Sequence, residues 1–190
     1  KLYGLMDTTS VAATGSIRLQ NQLRLELTGK GVIVGFIDTG IDYTNNCFLN
    51  STGQTRIISI WDQTDNSGTP PQNFYYGSEY TMEQINSAIE FDEPQNIVPH
   101  RDENGHGTFM ASVACGKYDE QRDFVGSAPE SYIAMVKLKP AKNYLKDYFL
   151  LDTEDEVYQE NDIMLAANYL RNLRIKYDLS LIHISEPTRL

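Results

Sequence analysis

An unbroken apolar run, Val32-Ile33-Val34-Gly35-Phe36-Ile37, stands between Gly29-Lys30-Gly31 and Asp38-Thr39-Gly40. Strict alternation would mark a strand with one wet face. A continuous run bounded by turn residues predicts a strand covered on both faces, as in a parallel sheet. Residues 57–61 and 132–138 repeat the pattern, the latter introduced by Gly126-Ser127-Ala128-Pro129 and closed by Pro140. Helical spacing falls between these strands. Residues 108–115 are rich in small side chains and end at Gly116, an expected C-cap. Thr81 with Gln84 makes a capping box ahead of Ile85, Ala88 and Ile89. The clearest helix is predicted over 162–177, with Ile163, Ala167, Leu170 and Tyr177 on one face and Arg171, Arg174 and Lys176 late, where they suit the C-terminal dipole. Strand–helix alternation predicts an α/β domain with right-handed crossovers. Segments 62–80 and 140–161 are polar, aromatic and turn-rich, and read as surface insertions. No internal repeat or interdomain linker stands out.

Composition narrows the class. The chain has 190 residues, 41% hydrophobic and 22% charged, ordinary for a folded domain. No apolar run approaches the roughly 20 residues of a membrane span. With 16 Lys+Arg against 26 Asp+Glu, the net charge of −10 argues against nucleic acid as a partner, because phosphate binding wants a cationic surplus. Two cysteines, Cys47 and Cys115, make no disulfide framework and read as unpaired, largely buried thiols.

Two constellations carry candidate chemistry. In Phe36-Ile37-Asp38-Thr39-Gly40-Ile41-Asp42 a carboxylate ends a buried strand, where open α/β sheets place their ligands. The same D-T-G suits an aspartic protease or a phosphotransferase, and Asp38 could simply cap the following turn. In Asp102-Glu103-Asn104-Gly105-His106-Gly107-Thr108 a histidine opens a helix between glycines that permit close backbone approach. Its imidazole suits a general base, or a cap on its own helix. His100, in a loop after a proline, and His183 carry little weight, and no cluster has zinc-ligand spacing.

Taken together, Asp38 and His106 are the first two members of a triad in the order Asp…His…Ser. Here the chain resembles the subtilisin-like serine proteases. The Asp motif matches V-I-V-G-F-I-D-T-G-I-D, the His motif H-G-T-F-M-A-S-V-A, and the next strand Val125-Gly126-Ser127-Ala128-Pro129 with Ala134-Met135-Val136-Lys137. Tyr3-Gly4-Leu5, Gln20-Asn21-Gln22, Ile60-Trp61-Asp62-Gln63-Thr64 and Tyr158-Gln159-Glu160-Asn161-Asp162-Ile163 are similar to the clostridial germination-protease (Csp) branch. The resemblance implies a three-layer α/β fold with a mostly parallel sheet, no organic cofactor and a polypeptide substrate. It implies His106 as base, Asp38 as its orienting carboxylate, Asn104 lining the cleft near the leaving group, and Tyr158 by the edge that binds an extended peptide. It also implies a bacterial origin, secreted or spore-associated.

Departures from the family pattern qualify the resemblance. Many subtilases carry a calcium-ligating aspartate nine residues after the triad Asp; here Cys47 stands there, a poor ligand for a hard cation, so no metal is expected. No G-T-S-x-A nucleophile motif occurs, and the oxyanion asparagine is also expected downstream of 162–177. Residues 179–189, L-S-L-I-H-I-S-E-P-T-R, resemble a translated library-preparation adapter. Residues 1–178 are therefore expected to be the N-terminal part of a peptidase domain, inactive as it stands, and 179–190 a non-native tail. The alternative for the tail is a strand over 180–185. The rival function is a degenerate pseudoprotease acting by binding.

Overall fold

The computed structural model describes residues 15–21, 27–121, 123–152 and 156–184, with side chains through residue 182. Tyr3-Gly4-Leu5 and Gln22 of the sequence reading, and residues 185–190 of the tail, lie outside this set. Five strands form one sheet in the order β3-β2-β4-β1-β5, with β1 Val32–Asp38, β2 Ile57–Asp62, β3 Ser78–Thr81, β4 Tyr132–Lys137 and β5 Ser180–Ile184. β4 lies parallel between β1 and β2, β5 is parallel to β1, and β3 is antiparallel on the far edge. The helices are α1 Ser16–Gln20, α2 Met82–Ile89, α3 His106–Cys115, α4 Asn143–Tyr148 and α5 Glu160–Tyr177.

The continuous apolar runs are buried on both sides, as their lack of alternation requires. Val34 and Phe36 of β1, Ile57 and Ile60 of β2, and Ile133 and Met135 of β4 join Ile85 and Ala88 of α2 and Ala111 and Cys115 of α3 in one core layer. Ile33, Ile37, Ile58, Trp61, Ala134 and Val136 face the other way, against Ala166, Tyr169, Leu170 and Leu173 of α5. The result is a three-layer α/β arrangement. An irregularity between Ile57 and Ser59 shifts the register of β2 against β4, so neighbours Ile57 and Ile58 serve opposite layers.

Three local expectations meet different outcomes. The capping box is present, with the Thr81 side chain accepting from Gln84 N and the Gln84 side chain from Thr81 N. The buried stripe of α5 passes through Ala166, Tyr169, Leu170 and Leu173, whereas Ala167 is exposed and Tyr177 is 38% exposed. Helical spacing named the right element, but the docking direction over β1 chose the stripe. Gly116 follows α3 at φ −59, outside the left-handed region. A Cβ there would lie 2.5 Å from the Ser112 carbonyl oxygen, so close approach, not turn geometry, favours glycine.

Segment 62–80 is more than a surface insertion. It returns as β3, and its Phe74 and Tyr76 pack at a tilt against the fully buried Trp61 at centroid distances of 4.6 and 5.5 Å. Tyr169 of α5 completes this aromatic cluster at 5.2 Å. Segment 140–161 does keep an exposed face, through Tyr144, Tyr148, Phe149 and Leu150. Ser180–Ile184, the place of the alternative strand reading, pairs with Val32–Phe36 of β1, and Leu181 packs against the α5-side core. Among the described residues no helix is long and apolar enough to cross a membrane.

Candidate active site

At the carboxyl ends of three adjacent strands the register aligns Asp62 of β2, Lys137 of β4 and Asp38 of β1. Asp38 ends β1 because Gly40, at φ +128, turns the chain away in a conformation that L side chains rarely adopt. Its Oδ1 accepts from Thr39 N at 2.7 Å. The same carboxylate also meets His106, whose Nδ1 lies 2.8 Å from Oδ1 and 3.0 Å from Oδ2. A bond from Nδ1 to a carboxylate places the ring proton on Nδ1 and the lone pair on Nε2. The His106 side chain is 47% exposed and that of Asp38 only 12%, so the pair presents its imidazole outward over a sheltered carboxylate.

His106 is the first residue of α3, and its ring serves Asp38 rather than capping the helix. The orphan N–H groups of this helix start are met by other side chains. Asn104 Oδ1 accepts from His106 N at 3.3 Å. Asp102 accepts from Gly105 N, Thr108 N and Thr108 Oγ1, and from Thr39 Oγ1 across the site. Thr39 Oγ1 in turn accepts from Gly107 N, and Thr108 Oγ1 from Asp42 N. Burial alone would raise the Asp102 pKa, but these hydrogen bonds outweigh it and hold the carboxyl below its ordinary value. The two flanking glycines have different work. Gly105 takes φ +84 ahead of the helix, whereas Gly107 sits where a Cβ would overlap the Gly40 carbonyl oxygen. Gly107→Ala is therefore expected to push α3 off the Asp38 loop and cost about 1–3 kcal/mol. Chemical denaturation of the full-length protein measures this, and an unchanged midpoint would mean the helix start can yield.

Tyr158 stands in the bridge that pairs Pro140 with Tyr158, and its hydroxyl donates to Glu156 Oε2 at 2.7 Å. Burial, that hydrogen bond, and the charges of Glu156, Asp38 and Asp102 raise its phenol pKa. Tyr158 is thus within electrostatic reach of the Asp38 carboxylate.

A second aspartate–histidine pair lies buried at the end of β2. His100, set aside as a loop histidine, places Nδ1 2.6 Å from Asp62 Oδ2 and Nε2 3.1 Å from Ile41 N. Both side chains are buried, at 0% and 3% exposure. Burial works against the ionised Asp62 carboxyl, yet hydrogen bonds from His100 and Thr64 prevail and lower its pKa. Lys137 was read only as part of a strand motif. Its Nζ donates to Arg101 O at 2.7 Å and to Glu103 Oε2 at 2.6 Å, and that partnership lowers the Glu103 pKa. One signal was available: β2, like β1, is an apolar run that ends in aspartate.

At the position where the family pattern would supply a calcium-ligating carboxylate stands Cys47. Beside Cys47, the buried Arg56 guanidinium donates to the carbonyls of Cys47 at 2.8 Å, Cys115 at 2.5 Å and Ser131 at 2.8 Å. Calcium wants six to eight oxygen ligands. At this junction the carbonyl oxygens already face a fixed cation, and a thiol stands where the carboxylate would be.

An aspartate ending a buried parallel strand and bonded to a histidine that opens a helix is the arrangement that the resemblance to subtilisin-like proteases implies. The aspartic-protease alternative needs an all-β fold and falls with this α/β sheet. The subtilase family model matches residues 29–164, and the chain belongs to that family. It is 31% identical over 129 residues to the subtilisin-like protease SBT2.1 of Arabidopsis thaliana, covering 59% of this chain and 15% of that protein. Identity to SBT2.3 of the same plant is 27% over 128 residues. The structure of the Clostridium perfringens CspB protease matches with a TM-score of 0.70 and 32% identity, over 88% of this chain and 31% of that one. The chain thus spans 15% of the length of the plant relatives, and its similarity to a Csp protease agrees with the branch its motifs resemble.

Proposed function

We propose that this chain carries the aspartate and histidine of a serine endopeptidase whose nucleophile and oxyanion donor lie outside these residues. The observation that supports it is the Asp38–His106 pair, with Nδ1 bonded to both carboxylate oxygens and the ring half exposed. In that reaction His106 Nε2 takes the proton of a serine hydroxyl as the oxygen attacks the peptide carbonyl. The imidazolium returns the proton to the leaving amine, and Asp38 stabilises the charge in between. Water then hydrolyses the acyl-enzyme with the same base. Asn104 would border the leaving-group side, and the strand-like bridge at Tyr158 would flank an extended polypeptide substrate. No organic cofactor enters these steps. At Cys47 we propose that Arg56, not calcium, supplies the positive charge.

A fluorophosphonate probe tests the reading, since it reacts only with an activated serine. The full-length protein is expected to be labelled and to cleave an unstructured polypeptide, while residues 1–190 alone stay unlabelled. A folded full-length protein that resists the probe would instead favour the pseudoprotease reading.

A further inference from the structure

The segment carrying His106 is tied to three consecutive strand ends: Asp62 of β2 holds His100, Lys137 of β4 holds Arg101 and Glu103, and Asp38 of β1 holds His106. The outermost tie is a second aspartate–histidine pair, and it cannot serve as a second base. Its Nε2 accepts from Ile41 N, which assigns the remaining ring proton to Nδ1 and commits both nitrogens. The ring also fills the space beside Gly40, where an added Cβ would lie 3.2 Å from both Cε1 and Nε2. Gly40 and Ile41 follow Asp38 directly, and the Gly40 carbonyl packs on Gly107, next to His106. His100 therefore touches the turn that carries Asp38 toward the start of α3.

Resting on the peptidase reading above, we infer that His100, anchored by the strand-end carboxylate of Asp62, is a positioning residue: it pins the Gly40–Ile41 turn and so fixes the Asp38–His106 geometry. Neither His100 nor Asp62 reaches the reacting atoms. Their effect passes through a main-chain hydrogen bond and ring packing. The cost of release is misalignment of the base, and a shift of about 1 Å at a reacting group lowers turnover about 100-fold. Substrate binding, which involves other surfaces, changes little.

The test uses the full-length protein with His100→Leu, which keeps burial but loses both hydrogen bonds, and His100→Gln, whose amide can donate to Asp62 and accept from Ile41 N. Steady-state kinetics on a peptide substrate are expected to show kcat down about 10- to 100-fold for His100→Leu, with KM within about twofold. His100→Gln should recover most of the loss. The downfield proton resonance of His106 Nδ1–H is expected to shift or broaden in the Leu variant and return in the Gln variant. If His100→Leu does not fold, His100→Asn, polar but too short to span both partners, takes its place with the same expectation. A folded Leu or Asn variant with unchanged kcat and an unmoved His106 resonance overturns the inference. Equal losses in the Leu and Gln variants also overturn it. If the wild type has no peptidase activity, the peptidase reading fails on that result, and the His106 resonance alone still decides whether His100 positions the pair.

Discussion

Asp38→Asn in the full-length protein is expected to lower kcat by about four orders of magnitude while leaving KM nearly unchanged, the loss this substitution brings in other serine-protease triads. The structure supplies the reason. Nδ1 of His106 donates to a carboxylate that offers an oxygen at 2.8 Å and another at 3.0 Å. An asparagine keeps one acceptor and adds an N–H₂, and Thr39 N already competes for Oδ1 at 2.7 Å. With the amide nitrogen turned to the imidazole, Nδ1 becomes the acceptor and the ring proton moves to Nε2, the position that must receive the serine proton. The imidazolium formed during attack also loses its counter-charge. Burial of the pair is little altered, so thermal unfolding should move far less than turnover. Kinetics on a peptide substrate, alongside an unfolding midpoint, separate the two effects. A variant within tenfold of wild-type kcat would mean that His106 is not oriented through Asp38.

The second large effect is expected away from the cleft, at Arg56. Its guanidinium joins three segments by their main-chain carbonyls: the turn after β1 at Cys47, the end of α3 at Cys115, and the entry to β4 at Ser131. At 5% exposure the side chain is nearly dry, and burial lowers its pKa. Arg56→Met retains much of the volume but strips a charged donor from three buried acceptors. Cys47 O keeps the N–H of Lys117 at 3.0 Å, so the carbonyls of Cys115 and Ser131 suffer most. Orphaned acceptors cost about 1–3 kcal/mol each, and relief from burying a cation offsets part of that, for a net loss of about 3 kcal/mol. In a domain larger than these residues the unfolding midpoint should fall by several degrees. A stable Arg56→Met variant would show that the three carbonyls find other donors.

How much of this was legible beforehand depends on how local each feature is. The runs at 32–37, 57–61 and 132–138 announced their strands, because a segment buried on both faces must itself be apolar. The capping box at Thr81 and Gln84 was equally plain, since its hydrogen bonds span three residues. Asp38 and His106 were recognisable as candidates from their own turns and from the motif order. Their meeting was not a local property. Sixty-eight residues separate them, and contact requires the helix start to be delivered over the end of β1.

The sequence by itself, then, determined the three central strands, the main helices, the family and the chemical candidates, because each is encoded in local runs and motifs; β3 and β5 were not read this way. Only the tertiary structure decided which stripe of α5 is buried, how Phe74 and Tyr76 close over Trp61, and what Arg56 and His100 do. Asp62 and Asp38 end level because β4 lies between their strands and the register aligns both with Lys137. Strand order and register are set by packing over the whole sheet. A polar side chain's partner follows from that arrangement, and no pattern in its own neighbourhood can name it.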